Sequence, residues 1–385
     1  MRDVAIIGVG WSGFKPTTPD LSFREMAYEA AVMAYEDAGI TDPRKEIDAF
    51  VTCEEDFWAG IAIADEFMGD QLGGVLKPVY TITGDGLMGL ASAYMKIRSG
   101  AFDLVVVEAH SKASDILTIY HIMEFAEDPI YNRPLNTHPY FIAGLEANYY
   151  MYVSGVERRH LAMVVQKNKG NAIRNPLASF GAKLSIDEIL CNPIVVDPLS
   201  ELDIAPFVDA AVVVVVASGD IARKYTDNPI WVEGVGWATE TNYLETRELS
   251  EAVYAKIAAD MAYKMAGIKD PRTQLDFAEI DDKFSYKELM HIEALRISGQ
   301  GDAHIELERG TFNLDGEFPV NPSGGLLGIG NALEACGLIK VLEAILQLRG
   351  EAYGRQVKDA KAAVVQSWRD VPTATGAVAV LCKEV

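Results

Sequence analysis

Gly8-Val9-Gly10-Trp11 closes an apolar, strand-like run, and Gly234-Val235-Gly236-Trp237 closes another about 226 positions later. Outward from these two quartets the chain goes on repeating itself. A polar stretch follows each quartet, then an amphipathic helical segment, 23–39 in the first half and 249–267 in the second. Both segments end in Ala-Gly-Ile and run into Asp-Pro-Arg, so glycine stops each helix and proline prevents its continuation. Strands resume at 47–52 and 277–281. Later helices, 87–98 and 338–349, are closed by Gly100 and Gly350 and lead into apolar strands at 104–107 and 362–365.

Strands alternating with helices of this length specify an α/β fold, and the internal repeat specifies two similar halves packed together. The expected architecture is five-layered, α-β-α-β-α, with an N-terminal half over 1–225 and a C-terminal half over 226–385. Between the repeats, about 115–205 is less regular and rich in Tyr, His, Asn and Pro, with a helical stretch at 143–172. An excursion of that size reads as a functional loop domain inserted into the first half. The run 210–217, with five consecutive valines, reads as a central strand buried on both faces.

Composition narrows the function. A chain of 385 residues that is 49% hydrophobic and 23% charged has the makings of a folded core. Its net charge of −22 opposes nucleic-acid phosphates and anionic lipid, so neither is an expected partner. No apolar run approaches the roughly 20 residues that span a bilayer, and the N-terminus lacks the apolar region of a signal peptide. A cytoplasmic location is expected. Cys53, Cys191, Cys336 and Cys382 are scattered without a CxxC pair, and the six histidines form no HxxxH or HExxH pair, so no metal site is expected.

Several segments could carry chemistry. Gly8 to Gly13 matches GxGxxG, but Pro16 and Pro19 interrupt the chain before any helix, so the glycines are expected in a tight turn after a strand rather than at a dinucleotide site. The segment Tyr80-Thr-Ile-Thr-Gly-Asp-Gly-Leu-Met-Gly sets a strand, a turn and a helix start in succession. That junction suits a nucleophile or an anion, with Thr83 and Asp85 as the exposed choices, or as simple N-caps. Asn321-Pro-Ser323-Gly324-Gly325, running on to Asn331, is a glycine-rich loop ahead of a helix, suited either to close approach of a ligand or to capping. Asp281 and Asp282 end a strand, so they point to opposite faces and only one can line a given pocket. Lys283 beside them neutralises one. His110 follows the strand at 104–109 and is either a site residue or a satisfied structural histidine.

The duplication, the turn at Thr83, the Asn321 to Gly325 loop, Glu108-Ala-His-Ser-Lys-Ala-Ser-Asp115 and the terminal Gln366-Ser367-Trp368-Arg369 together resemble the thiolase superfamily over essentially the whole chain. More narrowly, they resemble archaeal and bacterial proteins akin to sterol-carrier-protein-type thiolases. The resemblance implies a substrate carried as a coenzyme A thioester, with no covalently bound cofactor. It also implies a homodimer or dimer of dimers, in a subgroup that commonly pairs with a small zinc-ribbon and OB-fold protein. Its reactive positions are altered here. The family's ACASG pattern reads Ile82-Thr83-Gly84-Asp85-Gly86, which puts Thr83 in place of the nucleophilic cysteine. The HDAF-like turn reads Asp281-Asp282-Lys283-Phe284, and Asn331 replaces the activating histidine. Cys336 would lie a turn and a half into an internal helix.

On this resemblance the expected catalytic residues are Asp281, Asn331, His110 and Thr83, with Ser323, Gly324, Gly325, Ser367 and Trp368 holding the acyl-CoA. Lys167, Lys169 and Arg174 would meet the coenzyme's phosphates. Three functions follow: a carbon–carbon lyase of retro-aldolase type without an acyl-cysteine, an acetyl-CoA acetyltransferase, or an assisting subunit that retains the fold.

Overall fold

The computed structural model describes residues 2–55, 64–241 and 243–384, with the backbone alone at 64 and 65. The first repeat folds as β1 (Val4–Lys15), α1 (Phe23–Ala38), β2 (Ala49–Cys53), β3 (Val79–Ile82), α2 (Gly86–Arg98) and β4 (Leu104–Lys112). An excursion then carries α3 (Tyr140–Ser154), α4 (Arg158–Ala172) and a small hairpin, β5 (Ile194–Val196) with β6 (Leu199–Ser200). The chain returns through β7 (Asp209–Ser218). The second repeat follows as β8 (Ile230–Thr239), α5 (Val253–Ala266), β9 (Phe277–Glu279), α6 (Ser285–Ala294), α7 (Cys336–Arg349), β10 (Ala362–Trp368) and β11 (Thr375–Cys382).

These strands, the hairpin apart, make one mixed sheet in the order β3-β2-β4-β7-β1-β8-β11-β10-β9. The valine run lies in β7, where all ten residues are buried, with β1 on one side and β4 on the other. Continuity between the repeats is slender. β1 and β8 pair only at Ala5 with Trp231 and Ile6 with Ile230. Helices α2 and α7 pack against each other and against strands of both repeats, while α1 and α5 cover the outer faces. Strand alternation shows the layering: Ala5 and Ile7 face α1, whereas Val4 and Ile6 join the inner core. The order is α-β-α-β-α.

The glycine quartets are not turns. β1 continues through Gly8 and Gly10 to Lys15, so the expected turn is absent. A side chain on Gly8 would run into Ala34 and Ala38 of α1, and one on Gly10 into Ala30 and Ala34. The second repeat matches: Gly234 faces Ala262 and Ala266, and Gly236 faces Ala258. Bare α-carbons let a helix lie directly on the strand, which explains why GxG recurs without a phosphate site.

The helix ends follow local chemistry. Ser22 and Glu25 form a capping box at the start of α1, and Gly39 closes it at φ 71°. α5 ends the same way at Gly267, also φ 71°, but begins at Val253 rather than 249. There Glu248 accepts the amide and hydroxyl of Ser250, a local bond that competes with helix. The helical stretch of the excursion divides at Gly155, φ 76°, into α3 and α4. Among the described residues no helix is long and apolar enough to cross a membrane.

Candidate active site

The N-termini of the two inner helices converge at the centre of the molecule, on one carboxylate. Asp85 Oδ1 accepts the Leu87 amide at 2.9 Å, and Asp85 Oδ2 accepts the Gly337 amide at 2.8 Å. Asp85 is 3% exposed, so the expectation that it is solvent-facing is corrected. Burial raises its carboxyl above the usual range, against the pull of Lys340 and Lys283.

Just beyond β9, Asp281 faces this centre. Its carboxylate accepts from Lys283 Nζ at 3.2 Å and from Lys340 Nζ at 3.0 Å. Burial alone would raise Asp281, but the two ammonium groups reverse that and hold it well below the carboxylate range. Lys283 Nζ also donates to the Trp368 carbonyl at 2.6 Å. Burial would lower the ammonium's pKa, and Asp281 more than offsets this.

Asp282 points the other way. Its oxygens accept the amides of Leu326 at 2.6 Å and Leu327 at 3.2 Å and the Asn168 side chain at 2.7 Å, capping the short helix Gly325–Ile329. Burial and the neighbouring Glu288 push this carboxyl up.

A cavity of about 400 Å³ opens above Lys283. Ile122, Met123 and Phe125 give it an apolar wall, and Leu333, Arg369, Asp370 and Val371 complete it. Arg369 is paired with Glu55, which also lines the cavity. Asp370 is held in place: Oδ2 accepts from Asn331 Nδ2 at 2.9 Å and Oδ1 from the Val371 amide at 2.7 Å. Burial raises the Asp370 carboxyl, partly opposed by Lys283. Both Leu333 (φ 48°) and Asp370 (φ 85°) occupy the left-handed region, which disfavours side chains. Such conformations collect at sites where geometry is imposed.

None of the described residues that line this cavity is a cysteine. Cys336 is the first residue of α7, not a turn and a half inside it. Its thiol is fully buried, donates to Asn331 Oδ1 at 3.4 Å, and is pushed up to about 12 by burial, with Lys283 and Lys340 opposing.

The expected site residues therefore separate. Asp281, Asn331, Ser367 and Trp368 gather around the lysines, with Ser367 fully buried beside Asp85. Thr83 does not join them. It is exposed in the bend after β3, two residues before the capping aspartate. His110 lies on the other face of β4: Val105, Val107 and Ala109 face the inner core, and His110 stacks on Phe23 at the outer one. There Glu108 accepts from its ring at 2.9 Å; burial depresses the imidazole's pKa and Glu108 more than restores it.

Ser323, Gly324 and Gly325 form a closed loop. Ser323 donates to Glu279 at 2.6 Å, Gly324 abuts Ala172 and Gly325 abuts Asp282. The amides that could meet a ligand are already bonded to Asn321 O, Ser323 Oγ and Asp282. Lys167 and Lys169 are likewise engaged, Lys167 with Glu288 and Val320 O, Lys169 with Leu327 O. Arg174 is exposed. Among the described residues no group of three His, Cys, Asp or Glu could hold a metal ion.

Sequence reading passed over Asp370, and took Lys283 only for a neutralising neighbour. The available signal was position: each directly follows a segment already singled out.

Residues 236–382 match a family model described as thiolase C-terminal domain-like. The chain is similar to an acetyl-CoA acetyltransferase of Methanothermobacter thermautotrophicus, 34% identical over 369 residues that cover 94% of each chain. It is similar to sterol carrier protein 2 of Gallus gallus, 28% identical over 390 residues, 94% of this chain and 69% of that one. Among solved structures it is similar in fold to an Ltp2-ChsH2(DUF35) aldolase, with TM-score 0.84 and 22% identity over 99% of this chain and 98% of that one.

Proposed function

The chain belongs to the thiolase superfamily, and from that premise we propose that it breaks or forms a carbon–carbon bond in an acyl-CoA thioester without an acyl-cysteine, in the manner of a retro-aldolase. The observation that carries the reading is the cavity floor, where Lys283 and Asp370 stand together and none of the described lining residues carries a thiol.

The chemistry needs a base for the β-hydroxyl and a cation for the oxygen of the thioester enolate. Asp370, raised by burial and oriented by Asn331, takes the hydroxyl proton. The electrons of the O–H bond become the new carbonyl, and those of the broken C–C bond pass to the thioester as its enolate. Lys283 has three N–H groups, of which Asp281 and the Trp368 carbonyl take two. The third meets the enolate oxygen. Asp281 acts by holding the lysine charged and in position. The enolate then takes at carbon the proton that Asp370 removed, which restores the carboxylate, and the shortened acyl-CoA leaves with the new carbonyl compound.

The lyase chemistry is carried over from the printed name of the aldolase of like fold. The archaeal acetyltransferase supplies the alternative, an acetyl-CoA acetyltransferase. That activity calls for a reactive thiol, and the burial of Cys336 argues against it. A partner subunit is part of the proposal. Two of the three cations expected at the coenzyme's phosphates, Lys167 and Lys169, are engaged within the fold, so a small zinc-ribbon and OB-fold protein would supply phosphate contacts at the mouth. An assisting role, with catalysis elsewhere, remains the third reading.

The test is turnover of β-hydroxyacyl-CoA, and of acetoacetyl-CoA with CoA, by the pure chain and by the chain with any co-purifying partner. Cleavage of the hydroxyacyl substrate alone, reduced roughly 10²- to 10⁴-fold by Asp370→Asn, supports the lyase. Thiolysis with an acyl adduct trapped on Cys336 overturns it in favour of the acetyltransferase. Binding of acyl-CoA without turnover, with or without the partner, overturns it in favour of the assisting role.

A further inference from the structure

A chain of hydrogen bonds runs from helix α3 to the cavity floor, and every member of it is at most 6% exposed. Glu146 of α3 accepts from Lys287 Nζ at 2.7 Å. The same ammonium donates to the Tyr254 hydroxyl at 3.3 Å and faces the Trp368 ring, 4.2 Å from its centre. The Tyr254 hydroxyl lies 2.8 Å from His291 Nε2, and His291 Nδ1 lies 2.8 Å from the Asp281 carbonyl oxygen.

The carbonyl sets the direction of the chain. It can only accept, so His291 carries a proton on Nδ1 and donates it there. Burial lowers the imidazole's pKa to about 3, with Lys287 adding to the drop and Asp281 opposing it, so the ring is neutral and Nε2 is bare. Tyr254 therefore donates to Nε2 and accepts from Lys287, which as an ammonium can only donate. The order Lys287, Tyr254, His291, Asp281 cannot reverse, and each bond polarises the next.

The chain ends on the residue that holds the cavity lysine. Asp281 donates its amide to Gln366 at 2.9 Å, gives its carbonyl to His291, and receives Lys283 and Lys340 on its carboxylate. The other anchor of Lys283 is the Trp368 carbonyl, and it is the Trp368 ring that Lys287 faces. Lys287 thus acts on both anchors of Lys283, although it is not among the described residues that line the cavity.

We infer that Lys287, Tyr254 and His291 are positioning residues, a one-way hydrogen-bond chain that fixes Asp281 so that Lys283 is aimed into the cavity. That Lys283 meets an enolate rests on the proposed function; that it is held in this way does not. Nitrogen NMR of the full chain with isotope-labelled histidine reads the tautomer. His291 is expected to carry its proton on Nδ1 at neutral pH, and a proton on Nε2 overturns the inference. Reductive methylation with formaldehyde and cyanoborohydride, followed by peptide mass spectrometry, reads how firmly Lys283 is held. Tyr254→Phe removes the middle hydroxyl, and Lys287→Met with Glu146→Gln removes the head of the chain without leaving a charge behind. Each is expected to methylate Lys283 roughly five- to tenfold faster than wild type, the factor of one buried hydrogen bond, and to lower kcat by about as much at unchanged KM. Circular dichroism and melting are followed in parallel. A folded Tyr254→Phe chain that methylates Lys283 at the wild-type rate overturns the inference, as does a rise in KM at unchanged kcat. A wild type without lyase turnover removes the proposed reaction, while the tautomer and the methylation rates still decide whether the chain holds Lys283.

Discussion

Asp85 accepts the amide of Gly337 across 252 residues of sequence at 2.8 Å, and so ties the first turns of α2 and α7 to one carboxylate. The approach leaves no room for a side chain on Gly337, since a β-carbon there would overlap the Asp85 carboxylate. Each helix has unsatisfied amides at its start, and here a single side chain serves both.

Asp85→Ala should therefore cost more than an ordinary N-cap, roughly 2–4 kcal/mol from two buried hydrogen bonds lost together. Gly337→Ala should be destabilising by roughly 1–3 kcal/mol through overpacking. Denaturant unfolding of the two variants and the double variant checks both. Because they act on one contact, the double variant should lose less than the sum of the singles.

Cys336 should resist alkylation in the native protein at mildly alkaline pH, because its thiol is buried and pushed up to about 12. Cys191 is exposed and should react first. Mass spectrometry after timed iodoacetamide treatment gives the order. Rapid labelling of Cys336, or its protection by an acyl-CoA that leaves Cys191 unprotected, would contradict the proposed chemistry.

Gly10→Ala and Gly236→Ala should each destabilise the fold by roughly 1–3 kcal/mol or more, since each β-carbon would meet helix backbone that cannot step aside. Thermal melts of the two variants test this. An alanine tolerated at either position would remove the packing account of the repeated glycines.

Glu293 links stability to pH. It is 5% exposed, accepts from Tyr150 at 3.0 Å, and burial raises its carboxyl from 4.5 to about 7. The native state therefore holds a proton that the unfolded chain releases, and the stability this confers is present below about 4.5 and lost as pH rises to about 7. Glu293→Gln, which keeps the hydrogen bond without the charge, should flatten the profile in that window. Relative to wild type it should gain roughly 1–3 kcal/mol above it. Unfolding midpoints across the pH range give the comparison.

The fold was legible because its signals are local and occur twice. Periodicity, Ala-Gly-Ile stops and Asp-Pro-Arg punctuation each appear in both repeats, and α1 ends where glycine said it would. Gly8 to Gly13 was misread as a turn because the residues that Gly8 and Gly10 pack against, Ala30, Ala34 and Ala38, lie twenty or more positions downstream, and close approach is a property of the packed pair. The site was legible only in part. Asp281, Asn331 and Trp368 sit at element ends where chemistry is expected. His110 falls on the outer face of its strand by parity, which sequence reveals only once the strand's inner face is known. Asp370 was passed over because its placement depends on a left-handed backbone and on Asn331, 39 residues earlier, and neither leaves a local pattern.

The slender join between β1 and β8 has a mechanical meaning. A sheet stitched through two residue pairs leaves the ladder little part in holding its two halves in register. What holds the repeats together lies off the ladder: the inner helices that meet at Asp85, and the side chains of α3 and α4 that reach the second repeat, Tyr150 to Glu293, Lys167 to Glu288 and Asn168 to Asp282. The cavity straddles that seam, with Glu55 on one side and Arg369 on the other. The Arg369–Glu55 pair thus works as a clasp across the seam, doing at the cavity what the ladder does not do in the sheet.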